Sequence, residues 1–108
     1  MEYIEQDNVL RVLFDAQMDS LICSTIEHSL MQRVSDAKKR IPNLEIEFNL
    51  ANTEFVGSTF LRFCLYYAKQ AGEGKFKIVS PTENVRRIFE ITGLTEMINL
   101  AVPDNQAV

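Results

Sequence analysis

Through Leu44-Glu45-Ile46-Glu47-Phe48-Asn49-Leu50 apolar and polar residues alternate without a fault, the period that gives a strand one buried face. Two further apolar stretches, residues 1–4 and 9–14, flank the polar Glu5-Gln6-Asp7-Asn8 and predict a hairpin. From about Ile22 the period changes. Ile22, Ile26, Leu30, Val34 and Ala37 recur at helical spacing, with Glu27, Gln32, Asp36 and Lys38 elsewhere on the wheel, so an amphipathic helix is expected to end before Pro42.

After a loop over 51–57, residues 58–71 contain no breaker and are closed by Gly72, which suits the left-handed position just past a helix. Residues 75–79 form a short apolar strand. Ser80-Pro81-Thr82-Glu83 has the form of a capping box with proline at the first helical position, so a third helix is expected to start there. It carries Val85, Ile88 and Phe89 on one side and stops at Gly93, with Leu94 placed for the contact that accompanies a glycine cap. Residues 97–102 predict a last short strand or turn, and 103–108 a frayed tail. Strands rejoined through helices require crossovers, so the chain reads as a small α/β domain with a mixed sheet of four to five strands and three to four helices.

With 108 residues, 46% hydrophobic and 24% charged, the chain suits one compact domain. A net charge of -4 offers no basic footprint for nucleic acid or an anionic membrane and favours protein partners. No run reaches the roughly 18 apolar residues of a spanning helix, and the start MEYIEQDN is acidic where a leader would be basic, so a cytoplasmic location without membrane insertion is expected. Cys23 and Cys64 lie far apart with no ligand-spaced partner, which reads as two buried free thiols and no metal site. His28 has no acid or nucleophile at a telling spacing and is expected to be a solvated or half-packed helix residue.

The helix over 58–71 has an unusually wide apolar arc. Leu61, Cys64, Leu65 and Ala68 share one face, Phe60, Phe63 and Tyr67 the adjoining one, and only Arg62 and Lys69 mark a clearly polar side, with Tyr66 and Gln70 at its margin. Either the third helix and the C-terminal tail cover the aromatics, or they form a docking patch. Ser58, just before this helix, reads as its N-cap.

Three segments in order resemble the STAS domain, shared by sulphate transporters and anti-sigma factor antagonists. Phe14-Asp15-Ala16-Gln17-Met18-Asp19 is similar to the family's second-strand ending, with Asp19 on its aspartate. Phe55-Val56-Gly57-Ser58-Thr59-Phe60-Leu61 resembles the signature loop before the second helix. Asn84-Val85-Arg86-Arg87-Ile88-Phe89-Glu90-Ile91-Thr92-Gly93-Leu94 resembles the third helix and its Gly-Leu end. The resemblance covers nearly the whole chain and implies a STAS domain over 1–102, followed by the flexible tail.

It also implies a phosphorylation-switched anti-sigma factor antagonist, a binding module rather than an enzyme and without a cofactor of its own. Its partner would be an anti-sigma factor serine kinase, which brings the ATP. Ser58 falls on the serine that such a kinase phosphorylates, with Thr59 as second choice. Asp19, Gly57, Ser58, Thr59, Phe60, Arg62, Phe63 and Tyr67 are the implied partner-binding set, and Asp19 reads equally as a helix cap. Gly57 stands where the family usually has aspartate and Phe60 where it usually has glycine. Gly57 removes a carboxylate that a kinase could read, and it is also free to take a positive φ. The alternative is a STAS subunit of a transport or signalling complex that is never phosphorylated. A hydrolase with Ser58 as nucleophile would need a base and an orienting acid, and the one histidine belongs to another helix.

Overall fold

A computed structural model describes residues 1–94 and 100–101 of the chain. The hairpin is present. β1 (Glu2–Gln6) runs antiparallel to β2 (Val9–Leu13), and Gln6 pairs with Val9. The turn is the two residues Asp7 and Asn8, at φ 55° and 67°, the left-handed pair that matches the twist of a tight hairpin.

β3 (Gln17–Met18) leads into α1 (Ser20–Arg40), whose last turn carries Lys38, Lys39 and Arg40 at the negative end of the helix dipole. The helix ends at Ile41, which is extended as a residue before proline prefers. β4 (Glu45–Asn49) and β5 (Phe55–Val56) precede α2 (Ser58–Ala71), and β6 (Phe76–Val79) precedes α3 (Glu83–Ile91). Gly72 closes α2 at φ 94° with its N–H on the Ala68 carbonyl. Of the expected final strand over 97–102, Leu100–Ala101 forms β7, parallel to β6, while 97–99, 102 and the tail over 103–108 lie outside the described residues.

The main sheet has the order β1-β2-β4-β6-β7, parallel except for the first pair, and β3 with β5 makes a second, two-stranded parallel sheet. The mixed sheet and the three helices therefore agree with the sequence-based expectation. The β3/β5 pair was not anticipated.

Cross-strand register sorts the main sheet into two faces. Leu10, Ile46 and Phe76 lie in one row, Val12, Phe48 and Ile78 in another, and all six are buried. These rows meet Cys23, Leu30, Val34 and Ala37 of α1 and Phe60, Cys64 and Tyr67 of α2 in one core. Phe48 is the hub, with the rings of Phe14 and Phe76 at 4.8 and 5.0 Å and those of Tyr67 and Phe60 at 5.8 and 6.1 Å. At the sheet edge, Glu5 accepts from both Arg33 and Arg40 of α1, at 2.8 and 2.9 Å, while Arg33 lies 4.8 Å over the Tyr3 ring. The opposite face carries the row Ile4, Arg11, Glu47, Lys77. Glu47 is buried there, although the alternation of 44–50 predicts an open polar face. Arg11 and Lys77 cover it, at 2.6 and 3.7 Å.

The third helix starts later than its sequence suggests. Its cap is Thr82, whose hydroxyl accepts the Val85 N–H at 3.4 Å and donates to the Thr53 carbonyl at 3.1 Å. Ser80 sits at φ 54° in the turn before it, and so the Ser80 box is corrected by two residues. Gly93 takes φ 76° and Leu94 is buried, as the glycine cap requires.

Candidate functional site: two helix starts on one ledge

β3 and β5 are only two residues long, yet they fix the site. Gln17 pairs with Phe55 and Met18 with Val56, after which each strand turns directly into a helix. The two N-caps, Asp19 of α1 and Gly57 of α2, are therefore neighbours. The Gly57 N–H donates to the Met18 carbonyl at 3.0 Å, and a Cβ on Gly57 would lie 3.7 Å from the Asp19 Cα. Thr53, fully buried beneath the ledge, donates its hydroxyl to the Phe14 carbonyl.

The two helix starts differ in chemistry. Asp19 Oδ1 accepts the Ile22 N–H at 2.9 Å, so the cap reading of Asp19 holds. Gly57 supplies no side-chain acceptor, and the first carbonyl-to-amide bond of α2 runs from Leu61 N–H to Gly57 C=O at 3.2 Å. The N–H groups of Ser58, Thr59 and Phe60 precede that bond and point out of the helix end. Ser58 is the first helical residue and not the cap, which corrects the expectation for its hydroxyl: it is exposed beside these donors. Gly57 adopts φ -98°, so its freedom at positive φ is unused, and a Cβ there would make only ordinary contacts.

Thr59 is half-buried, and its hydroxyl accepts from Arg62 at 3.3 Å. Arg62 lies one turn beyond Ser58 on the same helix. Asp19, Gly57, Ser58, Thr59 and Arg62 are thus gathered at one end of the molecule. Of the aromatic members of the set, Phe63 shares the lining of one depression with Thr59 and Arg62, whereas Phe60 and Tyr67 are withdrawn. Phe60 is fully buried with its ring 4.9 Å from Phe14, and Tyr67 is 4% exposed, so neither stands out as a projecting contact residue. The sheet and α1, which packs beside α2 in the same helix layer, cover this arc, and the tail expected over it lies outside the described residues. Phe63 is half-buried in the valley facing α1, and Tyr66, at the margin of the arc, is the exposed aromatic.

Sequence reasoning missed Leu21 and Phe55, 74% and 42% exposed, which add apolar surface beside Asp19 and Gly57. Phe55 Cε2 lies 3.7 Å from the Cβ position of Gly57. A signal existed for Phe55: Val56 must be buried to hold β5, so its neighbour faces out.

Burial, with the Asp19 and Glu27 carboxylates adding to it, pushes the Cys23 thiol up to about 11, and burial lifts Cys64 well above its ordinary range. Both are free, buried thiols, as expected. His28 is exposed on α1, eight residues beyond its first residue, or about 12 Å along the axis from the helix starts. No helix of the described residues is long and apolar enough to cross a membrane.

A mixed sheet faced by helices, two of which spring side by side from a small parallel ledge, defines a small α/β domain whose most distinctive surface is a pair of helix N-termini. Residues 1–105 match the STAS domain model, and the chain belongs to the STAS domain family. Among curated proteins none matches it. Of solved structures, an anti-sigma factor antagonist from Mycobacterium paratuberculosis is similar at 22% identity and TM-score 0.79, over 98% of this chain and 87% of that one. An anti-sigma-factor antagonist (STAS) domain protein from Planctomyces limnophilus is similar at 16% identity and TM-score 0.78, over 98% and 92%. The anti-sigma factor antagonist SpoIIAA in its unphosphorylated form is similar at 16% identity and TM-score 0.72, over 98% and 90%.

Proposed function

We propose that this STAS protein is an anti-sigma factor antagonist, a cytoplasmic binding module and not an enzyme. Unphosphorylated, it docks its helix-start end on an anti-sigma factor serine kinase and so frees a sigma factor; the kinase resets it by phosphorylating Ser58 with its own ATP. The observation that carries the reading is Ser58 itself, an exposed hydroxyl on the first turn of a helix whose N-cap, Gly57, supplies no acceptor. A phosphate there meets unclaimed N–H groups and the positive end of the helix dipole, with Arg62 one turn away. It also adds roughly -1.5 to -2 charges to the docking end, which opposes a partner fitted to the neutral hydroxyl and to the apolar Leu21 and Phe55. Hydrolysis at Ser58 is disfavoured by the position of His28, far down α1.

The second reading, a constitutive STAS subunit of a transport or signalling complex, is favoured by one observation: Gly57 leaves no carboxylate beside Ser58 for a kinase to read. Incubation with the cognate kinase and ATP separates the two. The expected result is one phosphate on the peptide containing Ser58, none on Ser58→Ala, and weaker kinase binding by Ser58→Asp. Gly57→Asp, whose Cβ would make only ordinary contacts at 3.7 Å, restores the acid as a control. If wild type and Gly57→Asp both stay unmodified and Ser58→Asp binds the native partner as wild type does, the switch is excluded and the constitutive reading stands.

A further inference from the structure

The outer surface of the helix layer holds a trough that meets the Ser58 end at Thr59 and Arg62 and runs on beyond it. The valley between α1 and α2 opens into depressions of about 430 and about 400 Å3, and Met31, Tyr66 and Tyr67 line both, which joins them. Val34 and Tyr67 floor the trough and are buried, whereas Met31 and Tyr66 stand on its rims, 46% and 48% exposed. The rims are helical stripes. Glu27, Met31, Ser35 and Lys38 follow one another along α1, and Arg62, Tyr66 and Lys69 along α2.

Charge marks the same face. The chain has eleven lysines and arginines. Arg11, Arg33, Arg40, Lys77, Arg86 and Arg87 each have a carboxylate partner. The other five, Lys38, Lys39, Arg62, Lys69 and Lys75, form no ion pair among the described residues. Lys38, Lys39 and Arg62 line the trough, Lys69 shares the α2 stripe, and Lys75 lies with Lys38 around a further depression of about 230 Å3. Glu27 is the acid in the trough lining. In a chain of net charge -4, three of these five cations line one apolar-floored surface.

We propose that the trough is a second docking site, for an acidic amphipathic helix of another protein. A valley between two helices accepts a third by packing ridges into grooves. α2 has fourteen residues, so the trough offers about 20 Å, or about four turns of a partner helix. Apolar side chains of that helix at successive turns enter between Met31 and Tyr66, and Asp or Glu on its flanks meets Lys38, Lys39 and Arg62. Polar rims around an apolar floor are the anatomy of a reversible protein interface. The site extends away from the helix starts, since Lys38 lies about 27 Å along α1 from Ser20. Phosphorylation of Ser58 is therefore not required for it, and either idea survives failure of the other.

The test uses the whole chain, 15N-labelled, and a synthetic 18-residue peptide with leucines at i, i+3, i+4 and i+7 and glutamates on the flanks. Two controls carry lysine in place of glutamate, or the same composition scrambled. The acidic peptide is expected to shift the amides of Met31, Lys38, Tyr66 and Gln70 and to bind at least tenfold tighter than either control, with affinity falling as salt rises. Lys38→Glu with Lys39→Glu is expected to weaken binding at least tenfold, and Ser58→Ala to leave it unchanged. Lys38 Nζ also donates to the Gln70 carbonyl at 2.8 Å, so Lys39→Glu alone is the second variant, expected to weaken binding several-fold without touching that bond. Absence of shifts in the trough, equal binding of the basic peptide, or no effect of either variant overturns the proposal. Phosphatidylglycerol vesicles are the remaining arm: if they shift the same amides and the acidic peptide does not, the trough is a lipid surface and the proposal fails.

Discussion

Arg11 and Glu47 stand directly opposite each other on β2 and β4, and the Arg11 Nε donates to the Glu47 Oε2 at 2.6 Å. The two partners differ in what water can do for them. The Glu47 side chain is 7% exposed and that of Arg11 38%, so a stranded Arg11 rehydrates and a stranded Glu47 does not. Arg11→Met is therefore expected to cost about 1 to 3 kcal/mol, below the figure for a fully buried pair because Arg11 is partly solvated and Lys77 remains near. Glu47→Met, which removes the buried charge itself, is expected to stay within about 1 kcal/mol of wild type. Urea titration of both variants measures the difference; equal losses would mean that Glu47 is effectively solvated.

Phe60 sits among Phe14, Phe48 and the helix layer, so Phe60→Ala is expected to cost about 3 to 5 kcal/mol and Phe60→Asp to abolish folding. Phe63, half-buried in the valley, is expected to tolerate alanine at a smaller loss. Thermal melts followed by circular dichroism distinguish them, and a folded Phe60→Asp would refute this placement of α2.

For the third helix, Thr82→Ala is expected to cost about 0.5 to 2 kcal/mol, since it removes the cap and the bond to Thr53. Ser80→Gly is expected to be neutral or stabilising by up to about 1 kcal/mol, because φ 54° strains a serine and suits glycine. Denaturant midpoints with unchanged slopes would establish both; a loss on Ser80→Gly would place the cap at Ser80 after all.

The buried thiols give the stability a pH dependence. In the unfolded chain a cysteine ionises near about 8.5. In the folded protein Cys23 stays protonated up to about 11 and Cys64 is likewise raised. The protonated native state is thus favoured fully below pH about 8.5, and this contribution is lost as pH rises towards 11. Melting temperature is expected to fall between pH 8 and 10, and to fall less in Cys23→Ala. At pH 8 a thiol reagent is expected to modify neither cysteine until the chain unfolds, when both react. Fast modification of native protein would contradict the burial.

What the sequence makes legible is what repeats locally. The alternation of 44–50 and the helical recurrence from Ile22 to Ala37 each carry several periods, and both elements lie where those periods place them. β3 and β5 carry no period because two residues cannot, and they exist only through pairing across nearly forty positions. Glu47 follows the polar alternation but is buried by neighbours from β2 and β6, which no single strand reveals. The wide apolar arc of α2 was visible; that α1 shields part of it was not, since the lateral packing of two helices is a tertiary fact. At the candidate site, Ser58 and Asp19 were legible through their motifs, but a shift of one residue in the start of α2 moves Ser58 from capping hydroxyl to free hydroxyl.

β1 forms one border of the sheet, and an unpaired strand border is a template on which a foreign strand can grow. Here the border is short, begins at Glu2, and is pinned to α1 through the Glu5 bonds to Arg33 and Arg40. An incoming strand would meet that acidic side chain and the helix it tethers on one face, and Glu2, Ile4 and Gln6 on the other. The clasp between Glu5 and two arginines thus bears on solubility in a crowded cell: it holds one open strand border in a form that resists fibrillar growth.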